Sequence, residues 1–181
     1  MKNAVIFHGT DENPDSYWYQ WLACQLRARG YRADVPFYPA INQEKLADFL
    51  PQVLANHEFN SETVLIGHSA GAPLILSILE RINVEIAQAV LVAGYSQRRA
   101  NAKNMDPILQ ENYNWDRIRG HVKDIYFVNS VVDPWGCDDK QGRIMFDQLG
   151  GTHIVRDEGH FGSTSNNQPY PTFELLIRLI S

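Results

Sequence analysis

Short β-branched runs and longer amphipathic stretches alternate along the whole chain. The runs are NAVIF, RADVPF, TVLIG, AQAVLVAG, DIYFVNSV and THIVR, with helical patterns at 18–29, 45–57, 70–81, 139–149 and 172–180. Strands separated by helices are joined by right-handed crossovers, and the result is a parallel sheet covered on both faces. The expected fold is therefore α/β, a three-layer sandwich around a doubly wound parallel sheet of about six strands. Glycines at 30, 150 and 151 follow helical patterns, where C-terminal caps favour them. At 181 residues and 44% hydrophobic the chain can bury one core and is short for two, so residues 1–181 read as a single domain. One long piece, 95–120, has no clear period; its mix of Met105, Pro107, Ile108, Leu109, Tyr113 and Trp115 with polar residues suggests a small helical cap.

Charge and composition remove several classes of function. The formal net charge is −5, from 21 acidic and 16 basic residues with no basic block, so no nucleic-acid partner is expected. Residues 1–9 carry one lysine and too few apolar side chains for a signal peptide or a membrane span, which points to a cytoplasmic protein with no membrane attachment. Cys24 and Cys137 read as two reduced thiols. No Cys or His pairs stand at zinc-ligand spacing, and neither a metal nor a cofactor is expected.

In open α/β sheets the reactive residues lie just beyond the carboxyl ends of strands. At one such seam stands Gly67-His68-Ser69-Ala70-Gly71, which fits a nucleophile elbow: the serine occupies a strained strand-to-helix turn, and the flanking glycines avoid clashes with neighbouring backbone. The helix beginning there points free N–H groups at the site, so Ala70 N–H is one candidate oxyanion donor. The other is Thr10 N–H, in His8-Gly9-Thr10-Asp11 after the first strand. His8 is expected to brace that loop.

A serine needs a base, and the base needs an acid to hold its tautomer. Behind an elbow of this kind the chain order is Ser, then Asp or Glu, then His. Asp133 is the first carboxylate after DIYFVNSV, and His160 lies in the glycine-flanked loop after THIVR. Asp138 and Asp139 read instead as helix N-terminal acids, and Asp157 and Glu158 as a solvated turn. His153 falls within a strand, His57 near a helix end and His121 in a solvated loop, while His68 should point away from the proton to be moved. Trp18, Trp21 and Leu22 stand at helical spacing and read as core.

With these residues in hand, the chain resembles the small single-domain serine hydrolases of the α/β-hydrolase superfamily related to retinoblastoma-binding protein 9 and to bacterial YdeN proteins. The resemblance runs over nearly the whole length, through His8-Gly9, YWYQWL, GHSAG, the turn at Asp133 and EGHFG. It implies a minimal α/β-hydrolase fold and carries the nucleophile, acid and base to Ser69, Asp133 and His160. It also implies a small-molecule acyl substrate, such as a carboxylic ester. Two departures bear on specificity: the family's acid turn often reads Asp-Asp followed shortly by Val-Pro, where this chain has Val132-Asp133-Pro134-Trp135, and the residue before the first Trp, commonly His, is Tyr17. Amidase, aminopeptidase and thioesterase activities use the same triad and stay open. A binding protein on a hydrolase scaffold is the alternative outside enzymology.

Overall fold

The computed structural model describes residues 1–180. Six strands form one parallel sheet: β1 (Asn3–Phe7), β2 (Arg32–Asp34), β3 (Thr63–His68), β4 (Ile86–Val92), β5 (Val122–Ser130) and β6 (Thr152–Arg156). Their spatial order is β2-β1-β3-β4-β5-β6, with every neighbouring pair parallel. All six expected strands are present. The runs NAVIF and TVLIGH, apolar without alternation, are buried at every position because both sheet faces are covered there. The edge strand β6 is exposed or half-buried throughout, which matches its mixed THIVR sequence.

Helices connect these strands: α1 (Tyr19–Ala28), α2 (Leu46–Asn56), α3 (Gly71–Arg81), α4 (Trp115–Arg119), α5 (Asp139–Leu149) and α6 (Glu174–Leu179). From β1 the chain steps outward to β2 through α1, then returns across to β3 and proceeds the other way to β6. Right-handed crossovers taken in opposite directions put α1 on one face and α2 to α5 on the other. Accordingly α2, α3, α4 and α5 pack in series, and α1 packs with α6. The order of strands reverses between β1 and β3, the place where open α/β sheets form a ligand crevice. No helix among the described residues is long and apolar enough to cross a membrane.

The 95–120 piece departs from expectation. Only the short α4, with Ile118 buried in it, is helical, and the rest is irregular chain pinned by buried Ile108 and Leu109 and by a two-bond ion pair from Arg99 to Asp106. A single proline, Pro107, and glycine-poor polar clusters give no helical period there; local anchors hold the segment instead. Asp138 behaves as read, accepting N–H bonds from Lys140 and Gln141 as the N-cap of α5. Trp18 and Leu22 are fully buried, while Trp21 is half-buried at the margin of the core. His121 is a correction: rather than being solvated, it is half-buried with Nδ1 3.0 Å from the carbonyl oxygen of Leu79.

Candidate active site

Ser69 stands immediately after β3 with φ of 52°, in the left-handed region that a non-glycine residue enters only under constraint. The constraint is visible: Ser69 N–H donates to Val92 O at 2.9 Å, tying the turn to β4, and Ser69 O accepts from Ala72 N–H at 3.0 Å as α3 begins. A Cβ on Gly67 would fall 2.5 Å from Gly71 O, and one on Gly71 would fall 2.5 Å from Phe7 O. Both glycines are thus required by the backbone that crowds the elbow.

Asp133 follows the end of β5 by three residues, and its side chain is fully buried. One oxygen, Oδ1, accepts from Trp135 N–H at 2.8 Å and Cys137 N–H at 3.3 Å. The other, Oδ2, accepts the Nδ1–H of His160 at 2.7 Å. His160 is itself buried, in the loop after β6. That loop is held from several sides: Gln168 Oε1 accepts from His160 N–H at 2.9 Å, and Trp18 Nε1–H donates to Phe161 O at 2.9 Å. Burial pulls the His160 imidazole below its ordinary pKa, against the Asp133 hydrogen bond, and the neighbouring His68 adds to the lowering. An imidazole so placed stays neutral further into acid than a free one.

Ser69 and His160 line one cleft of about 580 Å³, together with Thr10, Tyr17, Trp135 and Ser163. Among the described residues, neither Thr10 N–H nor Ala70 N–H donates to another backbone carbonyl. The Thr10 hydroxyl accepts from Asn42 Nδ2 at 3.0 Å, which steadies the loop. His8 braces as expected: Tyr38 N–H donates to its Nε2 at 3.1 Å, so the proton is on Nδ1, 2.7 Å from Gly9 O. Burial keeps that ring below its usual pKa.

Residues 4–178 match the family described as serine hydrolase. The chain belongs to this serine hydrolase family. YdeN of Bacillus subtilis (strain 168) is 26% identical over 168 residues, 87% of this chain and 88% of YdeN. The crystal structure of the ydeN gene product from B. subtilis superposes with a TM-score of 0.88 at 23% identity, covering 99% of this chain and 96% of that one. An α/β-superfamily protein from Xanthomonas campestris pv. campestris gives a TM-score of 0.65 at 14% identity, over 98% and 99% of the two chains. At such identities these structures speak to the fold, an α/β hydrolase.

Several residues around the serine hydrolase cleft were not anticipated. Arg99 and Asp106, from the irregular segment, both line it. Cys137 is buried close to Asp133 and His160, and burial pushes its thiol well above the ordinary range, so it is held as a neutral thiol. Glu158 is no free turn residue: its carboxylate takes the Tyr170 hydroxyl and pairs with Arg156. Most consequential is Glu12, which lines the cleft and accepts Gly9 N–H at 2.6 Å and the Tyr19 hydroxyl. An acid one turn after His8-Gly9 was the only available signal for it.

Proposed function

We propose that this serine hydrolase cleaves small, polar carboxylic esters through an acyl-enzyme on Ser69. The observation that carries the reading is the buried Asp133 to His160 hydrogen bond of 2.7 Å at the cleft that also contains Ser69. His160 Nε2 takes the hydroxyl proton as Ser69 Oγ bonds to the acyl carbon, and Asp133 holds the tautomer and offsets the imidazolium charge. Thr10 and Ala70 N–H groups receive the oxyanion. Collapse expels the alcohol, which takes the proton from His160; water, deprotonated by the same nitrogen, then releases the acid and frees Ser69. A fluorophosphonate probe should label the native protein at Ser69 and leave Ser69→Ala unlabelled. Labelling that persists in the variant overturns the assignment.

Lining chemistry supports the substrate class. Among the described residues the cleft wall has no Leu, Ile, Val or Met; it is made of hydroxyls, amides and charges, with the rings of Tyr17 and Trp135. A lengthening aliphatic acyl chain therefore gains little of the roughly 0.8 kcal/mol per methylene that burial would give. Across nitrophenyl acetate, butyrate, hexanoate and octanoate, kcat/KM should peak at the short end and fall beyond butyrate. A profile rising through octanoate would rule out the small-substrate reading.

A further inference from the structure

His68 has no role in the reaction steps above, yet it is completely buried and its ring centroid lies 4.9 Å from that of His160. Its Nε2 is 2.8 Å from the carbonyl oxygen of His160. A carbonyl only accepts, so Nε2 carries a proton. On the other side Nδ1 lies 2.5 Å from the Tyr19 hydroxyl oxygen and 3.2 Å from Glu12 Oε2. An ionised carboxylate also only accepts, so the Tyr19 O–H is committed to Glu12, leaving the phenol oxygen only lone pairs toward Nδ1. Nδ1 must then carry a proton as well. With Glu12 ionised, these hydrogen-bond directions make His68 doubly protonated.

The same carboxylate accepts Gly9 N–H, so one buried pair joins three parts of the site: the loop bearing Thr10, the elbow bearing Ser69, and the loop bearing His160. We propose that the Glu12 carboxylate and His68 imidazolium form a positioning pair that locks the Thr10 loop to the His160 loop and sets a fixed positive charge behind the base. The proposal rests on the hydrolase reading only for what the lock serves; the charge state stands by itself.

The titratable groups facing His68 are Glu12, Tyr17 and Tyr19 ahead of and within α1, His8 after β1, and Asp133 and His160 from the loops beyond β5 and β6. Burial opposes charge on His68, but the combined pull of Glu12, the His160 carbonyl and Asp133 raises its pKa above the ordinary value. Burial would likewise neutralise Glu12, and the charge and hydrogen bonds of His68, with Tyr19 and Gly9, hold its pKa down. Burial, and then Glu12, push Tyr19 well above its usual range, so it remains a neutral donor.

The test begins with the unaltered protein and needs no substrate. Nitrogen-15 histidine spectra at neutral pH should show both ring nitrogens of His68 protonated; a neutral His68 ring overturns the proposal whatever the enzyme does. Glu12→Gln keeps the shape and an acceptor for Gly9 and Tyr19 but removes the counter-charge, so His68 should become neutral. The charge of His68 acts on His160 more strongly than that of Glu12, so the acid limb of kcat/KM should then move to higher pH. Loss of the lock should also lower kcat by about 10-fold or more. A folded Glu12→Gln protein with His68 still charged and an unmoved acid limb would leave only a structural contact. If His68 is charged but fluorophosphonate fails to label Ser69, the pair stands and the hydrolase mechanism falls.

Discussion

The substitution Asp133→Asn should leave the fold intact and lower kcat by about 10⁴-fold. The size follows from which way the new amide is forced to face. Oδ1 of Asp133 is enclosed by two N–H donors, from Trp135 and Cys137, so the amide oxygen of the variant must stay there and its NH₂ must take the place of Oδ2. That NH₂ would face His160 Nδ1, which in the native protein donates at 2.7 Å. Two donors cannot share the contact, so the ring proton moves to Nε2, the atom that accepts from Ser69 in the proposed mechanism. Activity against nitrophenyl acetate, with nitrogen-15 spectra reporting the tautomer, measures both links. Activity retained within tenfold would mean that Asp133 does not hold the base.

Gly71→Ala should unfold the protein readily. The added methyl would lie 2.5 Å from Phe7 O, 3.0 Å from Phe7 C and 3.1 Å from His8 O, all of them backbone atoms at the end of the buried strand β1. Backbone in a central strand cannot rotate away as a side-chain tip can, so α3 or β1 must shift. A cost of about 3 kcal/mol or more is expected, which lowers Tm by roughly 10 °C in a chain of this size. Thermal unfolding followed by circular dichroism decides it. An unchanged Tm would show that the elbow is looser than the contacts imply.

Strand and helix identities were legible because each is written locally: NAVIF and TVLIGH are apolar without alternation, and the helices repeat at their own period. The convergence of Ser69, Asp133 and His160 on one rim was legible because each follows a strand end, and a parallel sheet gathers its strand ends along one rim; their chemical roles stay part of the proposal. What escaped is what depends on pairing across the chain. Glu12 and His68 are 56 residues apart, and nothing local to either says that the acid turns inward to meet the ring. The geometry honours the expectation that His68 points away from the reacting proton, and it places the ring in a buried hydrogen-bonded cluster that no spacing rule describes. Arg99 and Asp106 were hidden for a related reason: an irregular segment has no period from which to infer which side chains face the cleft.

One asymmetry of the sheet reaches into how this protein fails. Ser69 hangs from β3, locked between β1 and β4, whereas His160 hangs from β6, a rim strand paired on one side only and open to water along its length. Native proteins come apart first at such margins. Warming or mild denaturant should therefore swing the imidazole out of register while the hydroxyl keeps its seat, and turnover will fade in a population that every spectroscopic measure of the sheet still counts as native.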